Sequence, residues 1–392
     1  MSQTTYGDDR AERLAREAVR RHWMGSYAPN RHVDFGLVVG ALLLSAFGLV
    51  MVYSATFHEL EAAGADPATY LNRQTLALGV GIAAAAAVTV VDYRVYRAWA
   101  PVLYGLSILL LIATLVMGTV VNASRSWIVI GSFQFQPAEF AKPALIVMLA
   151  ALFHERREEA LGLRALVEAL ALAAVPMVLI LLQPDFGTFM VFVAIVFGVL
   201  LLARVRVRYM VALVVIGLLA IFGALQLGLV QDYQVARLTS FLDPESDQLG
   251  AAYNVNQAQI AIGSGQLTGQ GLFQGSQTGL SYVPENHTDF IFTVVGEELG
   301  FVGSATLLGL YALVLWRGIR IAAMSRDTLG TLLAGGVVSV FAFQVFINIG
   351  MSVGIMPVTG LPLPFVSYGG TSLIGSYIMI GLLQNVHMRR FQ

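Results

Sequence analysis

From residue 34 onward the chain is a succession of long apolar runs separated by short polar stretches. A bilayer core of about 30 Å takes a helix of about 20 mainly apolar residues. Ten segments meet that requirement, at 34–56, 74–91, 101–121, 138–153, 165–183, 188–204, 209–228, 290–317, 329–355 and 368–387. Glu139, Lys142 and Glu168 lie in or beside the fourth and fifth of these. The pattern predicts an all-α polytopic membrane protein with ten transmembrane helices. Most connections are short, but residues 229–289 form a large loop between helices 7 and 8. The expected organisation is a tail over 1–33, a transmembrane domain over 34–387 and a terminus over 388–392.

Composition agrees with that reading and gives it a direction. Of 392 residues 57% are hydrophobic and 12% charged, half the charge of an ordinary soluble domain, roughly a quarter. The formal net charge of −1 supplies no basic field for nucleic acid. With no cysteine there are no disulfides, thiolate metal sites or cysteine nucleophiles. All the cations are arginines except Lys142. The tail carries Arg10, Arg13, Arg16, Arg20, Arg21 and Arg31, and alternate loops hold Arg94 and Arg97; Arg156, Arg157 and Arg164; Arg204, Arg206 and Arg208; Arg317, Arg320 and Arg326; and Arg389 and Arg390. The other side has only Arg73, Arg125 and Arg237, with Lys142 in the fourth apolar segment. By the positive-inside rule both termini are cytoplasmic and the long loop is extracytoplasmic.

No apolar h-region begins before residue 34, so the tail does not read as a cleavable signal peptide. Ala11, Leu14, Ala15, Ala18 and Val19 recur at helical spacing among its arginines, which suits an interfacial helix as well as a disordered polar tail. In the long loop Tyr253, Ile260, Ile262, Leu267, Leu272 and Phe273 alternate with Asn, Gln and Gly, which favours a structured loop on the membrane surface.

Ionisable groups at membrane depth are expensive and draw attention to function. Glu139 and Lys142 stand i,i+3 on one helical face, as an ion pair that fixes packing or as part of a site. Asp185, in the turn Gln183-Pro184-Asp185-Phe186-Gly187-Thr188, reads as a cap for the sixth helix or as a site residue. Asp289 sits where the long loop re-enters the membrane, with Glu285 and His287 before it and Glu297 and Glu298 after it. Near the end, residues 357–372 concentrate prolines and glycines at membrane depth. Irregular backbone is tolerated there only when buried in protein or lining a polar cavity.

These segments together resemble the SEDS family of peptidoglycan polymerases. The signals are Ser124-Arg125-Ser126-Trp127, Gln136-Pro137-Ala138-Glu139 with Lys142, Gln183 to Thr188, Phe241-Leu242-Asp243-Pro244, Gln257 with Ala261 to Gly265, His287 to Phe292 with Gly296 to Gly300, and Ser367-Tyr368-Gly369-Gly370. Asn348 to Met351 and Pro357 to Phe365 look more like the elongation member than the division member. Two departures stand out: Ser126 intervenes between Arg125 and Trp127, and Gly265-Gln266 replaces a common Gly-Gly.

The resemblance implies a glycosyltransferase that polymerises lipid II into β-1,4-linked strands at the outer face, releasing undecaprenyl diphosphate. It gives Asp289 the role of catalytic base and His287 an orienting role. Lys142 and Arg125 are candidates for the diphosphate, with Glu139 holding Lys142, and Asp185, Ser367 and Tyr368 are further candidate substrate contacts. No cofactor is specified, and a divalent cation (Mg or Mn) near Asp289 stays open. The implied partners are lipid II, the nascent glycan strand, a class B penicillin-binding protein and other elongation-complex membrane proteins, in the bacterial cell membrane. Two other classes compete, a lipid II flippase and a non-catalytic scaffold. The crowding of chemically capable residues at the outer mouth, and the lack of an internal repeat, disfavour a transporter.

Overall fold

The computed structural model describes residues 32–121, 124–131, 133–156, 162–228, 251–280 and 282–391. The arginine-rich tail up to Arg31, Arg157, Arg237 and the Phe241-Leu242-Asp243-Pro244 motif lie outside the described residues.

The described elements run in order as α1 (Phe35–Ala62), α2 (Thr69–Val90), α3 (Tyr93–Met117), β1 (Thr119–Val121), β2 (Ser124–Ile130), β3 (Phe133–Phe135), α4 (Pro137–Glu155), α5 (Leu163–Leu182), α6 (Phe186–Leu202), α7 (Val207–Gln226), α8 (Ala251–Ser264), α9 (Ser276–Gly279), α10 (Ile291–Ala323), α11 (Thr328–Ser352) and α12 (Gly370–Met388). The chain is an all-α polytopic membrane protein. Each of the ten apolar segments contains most of one long helix. Eight of these helices are long and apolar enough to cross a membrane, and α6 is a shorter apolar helix of 17 residues.

Local chemistry sets the helix ends. Asp34 accepts from Leu37 N–H at 2.9 Å to start α1, and Asp327 accepts from Gly330 N–H at 2.8 Å to start α11. Pro137 opens α4, where its missing N–H costs nothing. Three helices form the centre: α4, α11 and α12 bury most of their length, and α11 packs against α4, α6 and α10. Around them α2 lies along α12, α10 against α1, and α3 against α4. Every described residue of α7 is at least partly exposed, as suits an apolar helix facing lipid.

Two features depart from the apolar pattern. The third segment, expected to run to 121, stops as helix at Met117 and continues from Thr119 as a strand. The β-branched run Thr119-Val120-Val121 after Gly118 suits a strand better than a helical turn. The strands form an antiparallel sheet in the order β1-β2-β3, with Ile128 opposite Phe135 and Val129 opposite Gln134.

The second departure is a break inside α10. Gly300 has φ 62° and ψ −157°, so α10 is two helices joined at that residue. The described part of the long loop fills the break. Phe301 N–H donates to Gln266 O at 2.9 Å and Val302 N–H to Leu267 O at 3.1 Å. In return Gln270 N–H and Gly271 N–H donate to the carbonyls of Glu297 and Glu298, each at 3.0 Å. A broken helix survives in a membrane protein only when its freed backbone groups are paired again. Here residues 265–271 do the pairing.

Candidate functional site

The turn at 284–290 delivers the chain into α10. Thr288, Asp289 and Phe290 all direct their N–H groups at Glu285 O, between 3.1 and 3.2 Å. The cap position falls on Phe290, which has no hydrogen-bonding side chain. Asp289 is therefore not the cap residue of that helix. Its backbone carbonyl accepts from Asn348 Nδ2 at 2.7 Å. Its carboxylate lies against Gly360, where a Cβ would stand 3.3 Å from Oδ2.

His287 completes an aromatic group beside it. Its ring centroid lies 5.1 Å from Tyr70 and 5.8 Å from Tyr368, and Tyr70 and Tyr368 meet edge-on at 4.8 Å. Its carbonyl accepts from Tyr368 N–H at 2.9 Å. Burial lowers the imidazole's pKa from its ordinary 6.5, against the opposing pull of Glu285 and Glu59. Ser367 braces its own segment, where Leu363 N–H donates to its Oγ at 2.8 Å. Gln74, buried in α2, donates to Ser367 O at 3.0 Å and accepts from Gly369 N–H at 3.2 Å, which ties this segment to α2.

A second group surrounds the first turn of α4. Lys142 Nζ donates to Glu139 Oε1 at 2.7 Å, and both side chains are almost wholly buried. Gly375 of α12 makes room for the pair, since a Cβ there would stand 3.3 Å from Glu139 Oε2. Asp185 caps α6, accepting from Thr188 N–H at 3.0 Å and Thr188 Oγ1 at 2.9 Å. It also accepts from Gln136 Nε2 at 3.2 Å, one residue before α4. Burial raises the Asp185 pKa, the hydrogen bonds from Thr188 oppose it, and the nearby charges of Glu139 and Lys142 pull in opposite directions. Asp185, Glu139 and Lys142 thus share one electrostatic environment.

The two groups meet through the irregular segment 357–368. A Cβ on Gly187 would come within 2.5 Å of Thr359 O, so the turn carrying Asp185 packs directly on the residue before Gly360. Gly360 in turn touches the Asp289 carboxylate. Arg125 joins differently. Its backbone N–H donates to Gln183 O at 3.2 Å, while its exposed guanidinium reaches Leu115 O near the end of α3 at 3.4 Å. Ser124 Oγ donates to the same Gln183 carbonyl at 2.8 Å. The sheet therefore buttresses the Asp185 turn through backbone and hydroxyl contacts.

Glu297 and Glu298 face the loop. The Glu297 carboxylate accepts from Gln277 N–H at 2.6 Å, Thr278 N–H at 3.0 Å and Thr278 Oγ1 at 2.5 Å. Ser54 Oγ donates to Glu298 at 2.7 Å to Oε1 and 2.6 Å to Oε2. Phe273 N–H then donates to Ser54 Oγ at 3.1 Å. Glu297 thus holds the outer loop directly, and Glu298 holds it through Ser54 of α1. Among the described residues no three His, Asp or Glu side chains converge as a metal ion would require.

The FtsW/RodA/SpoVE cell cycle protein model matches residues 36–392. The chain belongs to this family. Stage V sporulation protein E of Bacillus subtilis is 40% identical over 356 residues, covering 90% of this chain and 96% of that protein. Peptidoglycan glycosyltransferase MrdB of Escherichia coli is 37% identical over 359 residues, covering 92% and 94%. Among solved structures, a chain from a peptidoglycan synthase complex that coordinates polymerization and crosslinking superposes with a TM-score of 0.77 at 34% identity, covering 92% of this chain and 99% of that one. The rod shape determining protein RodA of Thermus thermophilus gives 0.69 at 33% identity, covering 92% and 98%. The FtsW/RodA/SpoVE match takes in every described helix of the chain from α1 to α12.

Gln74 and Asn348, the residues that join these segments, were not among those the sequence singled out for a site. Both are amides buried in apolar helices, at 1% and 0% exposure. A polar side chain inside an apolar span was the available signal.

Proposed function

We propose that the chain is a peptidoglycan glycosyltransferase that polymerises lipid II, with Asp289 as general base. The observation that carries this is the Asp289 carboxylate set against Gly360, at the re-entry point of a chain in this family. The acceptor sugar's 4-hydroxyl gives its proton to Asp289 as its oxygen attacks the donor anomeric carbon. The new C–O bond forms as the bond from that carbon to the diphosphate breaks, and undecaprenyl diphosphate leaves. The leaving group gathers negative charge, which a cation must meet. Lys142 is the candidate, buried beside Glu139 in the group that reaches Asp289 through Gly187, Thr359 and Gly360. Arg125 is a second candidate at the mouth, and Asp185, His287, Ser367 and Tyr368 shape the walls.

The topology proposed with this is ten spans in the bacterial cell membrane, both termini cytoplasmic, and 229–289 outside. The arginine distribution supports it. The motifs at 348–351 and 357–365 support the elongation branch. The synthase complex among the structural neighbours supports a crosslinking partner, a class B penicillin-binding protein.

Purified protein incubated with lipid II and that partner separates the alternatives. Glycan polymer that disappears with Asp289→Asn supports the enzyme. Intact lipid II moved across a bilayer would support a flippase, and neither outcome would leave a scaffold.

A further inference from the structure

We infer that Asn348 is a positioning residue for Asp289, a reading that rests on the proposed role of Asp289. Asn348 lies in the last turn and a half of α11, on its buried face, and has no exposed surface. Its side-chain nitrogen donates to two backbone carbonyls at once, Asp289 O at 2.7 Å and Leu361 O at 2.8 Å. Those carbonyls belong to two irregular segments, the turn entering α10 and the proline-rich stretch before α12, that lie at opposite ends of the α10–α11 pair in the chain.

The orientation of the amide follows from its surroundings. Two carbonyl oxygens can face only the NH2 end, because an amide oxygen turned toward them would be repelled. Both donor hydrogens are then committed, one to each segment. The result is a two-pronged staple that holds the backbone of residue 289 at a fixed distance from residue 361.

Gly360 lies between these anchor points in the chain sense, next to Leu361, with φ 70° and no side chain to push Asp289 Oδ2 away. The carboxylate is thus placed by four things together: the 285–290 turn, the Tyr368 N–H bond to His287 O, the gap at Gly360 and the Asn348 staple. Only the last is a side chain that can be changed without touching either segment. The helix that carries it is rigid, being packed against α4, α6 and α10, so the anchor does not move with the loops it holds.

Displacing a general base by about 1 Å costs about 100-fold in rate. Asn348 is wholly buried and offers no surface to a substrate, so its loss is expected in kcat and not in KM. The test uses the full-length chain with lipid II and the crosslinking partner. Asn348→Leu removes both donors in a similar shape, and Asn348→Asp keeps the shape and surrenders at least one donor. Because the chain has no native cysteine, spin labels at Glu285→Cys and Ile355→Cys report the spacing of the turn from the end of α11.

The expected result is a kcat reduced about 100-fold for Asn348→Leu with KM within threefold, and a broadened label distance in both variants. Asn348→Asp, which turns a carboxyl oxygen toward at least one of the two carbonyls, should be impaired at least as much as Asn348→Leu. If Asn348→Leu does not fold, Asn348→Asp decides by the same readouts. A kcat within threefold of the parent, or an unchanged distance distribution alongside lost activity, would overturn the proposal. Asp289→Asn is run in parallel. Should it polymerise at the parent rate, the catalytic reading fails, while the label distances still decide whether Asn348 sets the position of the turn.

Discussion

Gly269 and Glu298 touch backbone to backbone: a Cβ on Gly269 would lie 2.1 Å from the Glu298 carbonyl oxygen. The contact joins the outer loop to the half-helix that starts two residues after Asp289. Gly269 has φ 81°, so a side chain there meets both a clash and a strained backbone. Left-handed strain costs about 1–3 kcal/mol, and the clash adds to it. Gly269→Ala should therefore release the loop from the break at Gly300. Limited proteolysis within 251–280 would show it as faster cleavage, and unchanged protection would disprove the packing.

Glu297 holds the same loop from the other side. Replacing its carboxylate by an amide keeps one acceptor oxygen and turns an NH2 group toward the N–H of either Gln277 or Thr278, leaving that donor unsatisfied at about 1–3 kcal/mol. Glu297→Gln should lower the thermal midpoint and speed the same cleavage. Thr278→Val, which loses only the hydroxyl, should have the smaller effect.

The Glu139–Lys142 pair is buried, so breaking it from one side strands a charge. Removal of one partner of such a pair costs about 3–5 kcal/mol. Lys142→Met should destabilise the protein and abolish polymer formation in whatever fraction remains folded. A Lys142→Met protein that polymerised at the parent rate would remove Lys142 from the diphosphate role. The double variant Glu139→Gln with Lys142→Met should recover part of the stability and none of the activity, and a double-mutant cycle measures both.

Asp289→Asn keeps the size of the side chain and removes the base. General-base catalysis contributes typically about 100- to 10,000-fold, so polymerisation should fall by that factor with lipid II binding retained. Binding that vanished along with the rate would assign Asp289 to substrate recognition.

His287 gives the site a pH dependence of determinate sign. Its folded pKa is lowered from 6.5 by burial between Tyr70 and Tyr368. The neutral ring's contribution is fully present above 6.5 and is lost as pH falls through the lowered folded value. His287→Phe retains the ring packing without the titration. Between pH of about 7.5 and 5.5 the parent's thermal midpoint should drop further than that of His287→Phe. Equal drops would mean that another group titrates.

The apolar runs alone placed the long helices within a few residues at most ends, because burial in lipid demands a run of fixed length. The arginines gave an expected orientation for the same reason, since charge is sorted by the membrane during insertion. The acids and the lysine of the candidate site were visible as ionisable residues at apolar depth, where each needs a partner. The i,i+3 spacing anticipated the Glu139–Lys142 pair that the structure contains. Other relationships depended on distant backbone and could not be read from spacing. The sheet at 119–135 replaces the end of the third apolar run, because hydropathy does not distinguish a lipid-facing helix from a strand packed beside it. The break at Gly300 depends on residues 265–271 being present to take up its hydrogen bonds. The junction at Asn348 brings residues 289 and 361 onto one amide. Sequence determined which residues could do chemistry and which stretches would be helical. Tertiary structure decided which carbonyl meets which side chain, because those pairings close long loops whose ends only the packed helices bring together.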